Sequence, residues 1–486
     1  MMRRLLALAV CAALLPAQAQ GLPDLGDASD AVLSEKQERT IGSRVMREIR
    51  IDPAFVDDAE ISDYVKALGN RLLGAADPPR RPIEFFVVQD DAVNAFALIG
   101  GHIGLHTGLI LLTRNESELA GVVGHEIAHI LQRHQSRLYQ SQTKYQLASL
   151  AALALAVLAS RGGSSQSSQV TEAALVSSSA IAIQGQLDYT REHEREADRV
   201  GLTILDRAGY DPRGMVGFFE RMQRANRLSE FKSAPSYLRT HPLTIERIAD
   251  MQSRVDTMPA RLVPDSFDYR LAKAKLRAAT GSASDAIAYF RSQLEDRTVL
   301  RQREDIFGLA LALRRTRDFA LADKELAAIR TRESNHPAFE WLAAQLRADQ
   351  GGGEEALEIY RAALKTYPHY RGLVYGYAQL LLELGRTSEA IAWLDEKVRA
   401  SSDDAKLYEL QSRAYAAAGN RLAQHRAQAE SYYLRGNLAA AVDQLMLATK
   451  VRGTDFYQLS SAEARLRELQ YQLQIEREAE KALKIS

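Results

Sequence analysis

The sequence predicts a mainly α-helical protein with one small β-sheet, divided into a compact N-terminal unit and a helical-repeat tail. Three observations carry this. Short apolar runs between residues 84 and 112, EFFVVQ and then VNAFALIGGHIGLHTGLILL, are broken by turn residues and read as strands. Residues 113–138 hold Leu119, Val122, Val123, Ile127, Ile130 and Leu131 at helical spacing. From about residue 263 a turn residue followed five positions later by alanine recurs about every 34 residues.

At 486 residues the chain is long enough for two or more domains. Lys+Arg and Asp+Glu both number 62, so no basic field argues for nucleic acid. Residues 1–19 read as a secretory signal: Arg3 and Arg4, an apolar run from Leu5 to Leu15, then Ala17-Gln18-Ala19 as a small-x-small cleavage site. That run is too short to span a bilayer, so the expectation is export without an integral membrane span. Cys11 is the only cysteine, and bulky Val10 before it argues against lipidation. Cleavage after Ala19 leaves a chain that no disulfide supports.

In chain order, residues 28–75 predict two amphipathic helices split at Asp52-Pro53, and residues 84–89 a strand. Residues 93–112 predict two short strands turned at Gly100-Gly101, at least one of them at a sheet edge. An edge strand has unpaired backbone groups that can hold an extended peptide. The helix over 113–138 begins with Thr113 and Glu116 as a capping box. On it His125-Glu126-Ile127-Ala128-His129 matches the H-E-x-x-H pattern of zinc peptidases. His125 and His129 lie one turn apart on one face, so both imidazoles can reach one zinc ion. Glu126, offset by about 100°, can stand beside the metal as a general base without ligating it. Gly121 and Gly124 are poor helix formers and imply that another backbone or a substrate passes close. Residues 145–187 predict an apolar helical hairpin with a Gly/Ser-rich tip at 161–168. A helix over 189–208, ended by Gly209 and Pro212, can supply the third ligand of a catalytic zinc site. Glu194 is the candidate, with Glu192, His193 and Glu196 as alternatives. Asp198, four residues on, can hold a ligand imidazole by its second nitrogen. Tyr189 or Arg191 is a candidate for assisting an oxyanion, and the other histidines read as surface or supporting residues.

His125-Glu126-x-x-His129, Glu194-x-x-x-Asp198, Asn94-Ala95-Phe96-Ala97, Gly100-Gly101 and Thr240-His241-Pro242 with Arg247-Ile248 together resemble the M48 family of zinc metallopeptidases. The resemblance covers about residues 30–255 by motif and implies a zincin-like domain over 20–262. It implies that His125, His129 and Glu194 bind one zinc, that Glu126 is the catalytic base and that Asp198 supports a ligand. His241 becomes a candidate extra ligand or transition-state contact. It also implies periplasmic, misassembled outer-membrane proteins as substrates and the barrel-assembly machinery as partner. A chaperone or adaptor acting mainly through the repeats is the competing expectation, although such a protein has no chemical need of Glu126.

The tail, residues 263–486, carries the pairs Gly281/Ala286, Arg315/Ala320, Gly351/Ala356, Gly385/Ala390 and Gly436/Ala441, with Gly419 followed by Gln424. The second members at 286, 320, 356, 390 and 424 are spaced 34, 36, 34 and 34, the tetratricopeptide period. A last step of 17 residues predicts one extra helix layer. Tyr289, Tyr360 and Trp393 are expected to fill the gaps between helices. Such a solenoid offers a concave surface for client or partner proteins.

Overall fold

The computed structural model describes residues 34–77, 82–140, 191–227, 236–295, 303–331, 336–452 and 455–485. The signal segment, the 145–187 hairpin and Tyr189 lie outside the described residues. The described residues begin with two amphipathic helices, α1 (Glu35–Ile51) and α2 (Ala59–Ala75), parted at Asp52-Pro53. Ser34 and Gln37 form a reciprocal capping box on α1, and Asp58 caps α2.

The sheet has three strands, β1 (Glu84–Val88), β2 (Ala95–Leu98) and β3 (His102–His106), in the order β1-β3-β2. β3 runs parallel to β1, with Glu84 opposite His102, and antiparallel to β2, with Ala95 opposite Leu105. β2 is therefore an edge strand. Gly100 and Gly101 both take φ near 90° at the β2–β3 turn, a backbone that side-chain-bearing residues rarely adopt.

Residues 107–112 correct the strand expectation: Thr107–Leu112 is a short helix, α3. The Thr107 hydroxyl donates to the Asp90 carbonyl (2.9 Å) and accepts from the Asp90 amide (3.0 Å), turning the chain out of the sheet. Leu109 and Ile110 then enter the core on a helical face.

α4 (Glu116–Leu131) carries the H-E-x-x-H stretch and is buried almost all round, packed by α2, β2 and the later helices α6 (Arg191–Arg207) and α7 (Pro212–Arg227). Its cap is Asn115, not Thr113, and the side chain accepts from the Glu118 amide (2.9 Å). Thr113 donates its hydroxyl to the Ile110 carbonyl and so belongs to the end of α3. The helix also stops earlier than expected, because Arg133 adopts φ 51° and a separate α5 (His134–Gln140) follows.

Gly121 and Gly124 are explained by neighbouring backbones. A Cβ on Gly121 would stand 2.9 Å from Met215 Cα of α7, and one on Gly124 3.4 Å from the Gly201 carbonyl of α6. Gly209 at φ 80° ends α6, while Pro212 opens α7 in the first-turn position suited to proline. Two further helices complete this part, α8 (Ser236–Thr240) and α9 (Ile245–Val255), the latter capped by Thr244.

Among the described residues twelve helices follow: α10 (Phe267–Ala279), α11 (Ala283–Glu295), α12 (Arg303–Arg315), α13 (Phe319–Ala327), α14 (Pro337–Asp349), α15 (Gly353–Thr366), α16 (Arg371–Glu383), α17 (Thr387–Ala400), α18 (Ala405–Ala417), α19 (Arg421–Leu434), α20 (Leu438–Ala448) and α21 (Phe456–Ile485). Each hairpin turns on a left-handed residue followed five positions later by a helix-contact residue. One expected pair is shifted by two: the turn is Arg317 (φ 61°) and the buried alanine is Ala322, whereas Ala320 is exposed. The contact positions 286, 322, 356, 390 and 424 are then spaced 36, 34, 34 and 34. Tyr360 is buried as expected, but Tyr289 is exposed and lies beneath Arg277.

α10 serves both parts. Tyr269, Ala272 and Leu276 enter the core around α4, and Leu271, Ala274 and Ala278 enter the first repeat layer. Lys275 on the same helix reaches Asp58 (2.7 Å) and Glu60 of α2. At the far end Arg47 of α1 pairs with Glu476 of α21 (2.7 Å), so the solenoid closes back on the N-terminal helix. Among the described residues no helix is long and apolar enough to cross a membrane.

Candidate active site

The close Gly124–Gly201 crossing brings α6 against α4 with its acidic face toward the two histidines. His125 Nε2 and His129 Nε2 are 3.0 Å apart. Glu194 Oε1 lies 3.3 Å from His129 Nε2, and its Oε2 3.5 Å from His125 Nε2. His241, just past α8, puts Nδ1 3.3 Å from His125 Nε2 and 3.0 Å from Glu194 Oε1. One donor atom from each of His125, His129, Glu194 and His241 lies within 4.8 Å of all the others, and all four residues are buried. Glu126 stands beside them, with Oε1 3.5 Å from His241 Nε2 and neither oxygen hydrogen-bonded.

The surrounding groups hold these donors in place. Asp198 Oδ1 lies 3.1 Å from His125 Nδ1, a charge contact that faces the ring's other nitrogen toward the cluster. Arg247 of α9 grips Asp198 through two bonds of 2.8 Å, Glu194 at 2.7 Å and the Pro242 carbonyl at 2.7 Å. That guanidinium ties α6, α9 and the His241 loop together. Tyr237 of α8 is fully buried and stacks on His241, with ring centroids 4.7 Å apart.

Electrostatics follow from burial and these pairings. Burial would raise Glu194 and Asp198, but the imidazoles around the first and Arg247 beside the second hold both below the usual carboxylate range. Glu126 is pushed up, chiefly by burial, as a general base requires. Burial would lower His125, yet Asp198 and Glu194 raise it to about 9. Burial lowers His129 to about 3, with the neighbouring His125 and His241 acting the same way. Two imidazole Nε2 atoms facing each other at 3.0 Å suit a cation between their lone pairs.

A four-coordinate zinc with bonds of about 2.0–2.1 Å separates its ligand atoms by about 3.3 Å. The two Nε2 atoms stand 3.0 Å apart, with one Glu194 oxygen 3.3 Å from His129 and the other 3.5 Å from His125, so the donors are of the chemistry and near the spacing such an ion takes.

The alternatives on α6 point elsewhere. Glu192 is exposed, and Glu196 bonds His134 (3.1 Å) and Arg137 (3.1 Å). His193 stacks on His134 at 4.4 Å. Arg191 is exposed at the start of α6. His102 meets Glu84, His336 caps α14 and His425 meets Gln444, away from the cluster. Sequence reasoning gave no role to Arg247 or Tyr237, although Arg247 falls in the stretch after His241. The missing signal is spatial, since both act across helices distant in sequence.

Comparison with known proteins agrees with the geometry. Residues 60–255 match peptidase family M48, and residues 307–370 and 347–414 match tetratricopeptide repeats. The beta-barrel assembly-enhancing protease of Escherichia coli K12 is 32% identical over 458 residues, covering 93% of this chain and 91% of its own. The protein of that name from Yersinia pestis is 31% identical, covering 89% and 88%. The metalloprotease YcaL of E. coli K12 is 27% identical over 40% of this chain and 68% of its own. With a full-length relative at this identity and a catalytic-type helix intact, the chain belongs to peptidase family M48, as a metalloendopeptidase with tetratricopeptide repeats.

Proposed function

We propose that this metallopeptidase uses one zinc ion per chain, held by His125, His129 and Glu194, to hydrolyse peptide bonds of unfolded or misassembled envelope proteins. The observation that carries the reading is the convergence of those donors with Glu126 beside them. Bound zinc supplies Lewis-acid chemistry, polarising the scissile carbonyl and acidifying a water. Glu126 takes the proton of the attacking water and returns it to the leaving amine. Asp198 and Arg247 keep His125 and Glu194 oriented through that transfer. The β2 edge pairs with an extended substrate. Gln135 bonds the Ala97 carbonyl of that edge (2.6 Å), a contact the incoming backbone replaces.

His241 is a resting-state cap in this reading. Its Nδ1 lies 3.3 Å from His125 Nε2 and 3.0 Å from Glu194 Oε1, where it would add a fourth donor, and substrate or partner binding would withdraw it. Under a cap, His241→Ala raises basal proteolysis, including self-cleavage. Lower turnover with zinc retained assigns His241 to the transition state instead.

The peptidase part is taken as residues 20–262 and the repeats as 263–486, after removal of residues 1–19 on export to the periplasm. Resemblance to the barrel assembly-enhancing proteases supports outer-membrane proteins as clients and the barrel-assembly machinery as partner. Elemental analysis together with cleavage of an unfolded protein tests the reading. One zinc in the wild type, lost in His125→Ala, His129→Ala and Glu194→Ala but kept in Glu192→Ala, is the expected result. Zinc-loaded Glu126→Gln that still cleaves would exclude the mechanism and favour a chaperone or adaptor role only if cleavage proves to come from elsewhere.

A further inference from the structure

We infer that His134 is a positioning residue that sets the tautomer of His129, the inference resting on the metal site proposed above. The observation is a run of contacts behind His129 whose first described member is an imidazole. His134 Nδ1 lies 2.9 Å from His129 Nδ1, and its Nε2 lies 3.1 Å from Glu196 Oε2. Arg137 holds that same Glu196 oxygen at 3.1 Å. His134 itself is fully buried.

Proton placement along this run has one solution when His129 is a ligand. His129 Nε2 must then offer a lone pair to the metal, so its proton sits on Nδ1. A second proton on His134 Nδ1 would set two donors face to face at 2.9 Å. His134 therefore accepts at Nδ1 and carries its own proton on Nε2, where an ionised carboxylate accepts it. Glu196 selects the His134 tautomer, and His134 selects that of His129. His125 reaches the same end by a different route, with the Asp198 carboxylate 3.1 Å from its Nδ1. Its support is an anion, whereas that of His129 is a neutral ring with its anion one residue further out. His129 is oriented without a further buried carboxylate beside Glu126, Glu194 and Asp198.

The backbone is shaped to bring His134 there. Arg133 takes the left-handed conformation at φ 51°, uncommon for a residue with a side chain, and this folds His134 back under the end of α4. Glu38 of α1 pins the turn, accepting from Arg133 (2.8 and 3.2 Å) and from the Ser136 hydroxyl. His193 of α6 stacks on the other face of the ring. An unfavourable backbone, held by three elements, points to a role for the residue it positions.

Zinc affinity of the full-length protein, measured by competition with a chromogenic chelator, tests this, with melting of the metal-free forms as the structural control. His134→Leu removes the acceptor and is expected to weaken zinc binding about 10–100-fold. His134→Asn keeps an acceptor oxygen near the Nδ1 position and is expected to recover most of that loss. A merely structural role predicts that both variants weaken binding in step with their metal-free melting temperatures, and that result overturns the inference. So does wild-type affinity in His134→Leu. If His134→Leu does not fold, Glu196→Leu, part-exposed and outside the core, decides: about 3–10-fold weaker zinc binding supports the relay, and unchanged binding overturns it. A wild-type chain that takes up no zinc removes the metal site itself, an outcome distinct from zinc-replete wild type with an unaffected His134→Leu.

Discussion

Two of the buried charge clusters in this molecule are built for opposite ends. At the seam between peptidase and repeats, Lys275 of α10 sits between Asp58 and Glu60 of α2. Burial would lower the Lys275 ammonium, but Glu60 and Asp58 raise it, so it stays charged and its charge is spent on those two carboxylates. At the site, Arg247 is likewise committed to Asp198 and Glu194. There the resemblance stops. Three imidazoles turn toward one another, and Glu126 has both oxygens unpaired. The seam's cation is a side chain of the fold, whereas the site's donors converge where only an added cation suits them. Buried charge alone therefore does not mark a functional site. Donors brought from three separate segments onto one point do.

Four measurements break or sharpen that contrast. The largest effect is expected for Glu126→Gln, which removes the unpaired carboxylate: kcat falls by about 10²–10⁴-fold with zinc content unchanged, read by turnover and elemental analysis. Next, stripping the metal with a chelator lowers the melting point of the wild type and not that of His125→Ala. At free zinc about 1,000 times its dissociation constant the stabilisation is about 4 kcal/mol, read by calorimetry with and without zinc. Third is Lys275→Met, which leaves the partly buried Asp58 and Glu60 without their cation. Urea unfolding should show a loss of about 2–3 kcal/mol, below the full cost of breaking a fully buried pair, while the zinc affinity of the folded fraction stays at the wild-type value. A fall in zinc affinity there would mean that the two clusters are coupled through α2 and α4. The smallest effect is expected at the rim of the closure between α1 and α21. Arg47→Ala breaks the Glu476 pair at a cost of about 1 kcal/mol or less, also read by urea unfolding.

Legibility in the sequence followed the range of the interactions. The metal helix was readable because two histidines and their backing residues lie within one helix, where spacing dictates direction. Its ends were not, since Thr113 and Asn115 are both good caps and the choice fell to Asn115 when the Thr113 hydroxyl was taken up by Ile110 and Tyr269. The solenoid period was readable wherever glycine occupies the left-handed turn. It slipped by two residues where Arg317 occupies that turn, because no composition signal marks an arginine at positive φ. Residues 107–112 were apolar enough for a strand, and only the Thr107–Asp90 pairing made them a helix.

What the sequence by itself determined is therefore the local part: a helix that presents two imidazoles on one face with a carboxylate beside them, and a tail that must stack as helical hairpins. Tertiary structure alone decided which acidic residue of α6 completes the donor set. Glu192, Glu194 and Glu196 differ by about 200° around one helix for each step of two residues, so sequence distance cannot rank them. The Gly124–Gly201 contact sets the rotation and height of α6 against α4, turning Glu194 and Asp198 inward and Glu196 toward His134. Arg247, Tyr237 and His241 arrive from a third segment, and α10 locks the repeats to the same core. Each is a contact between surfaces distant along the chain, set by how helices pack and not by what any one stretch prefers.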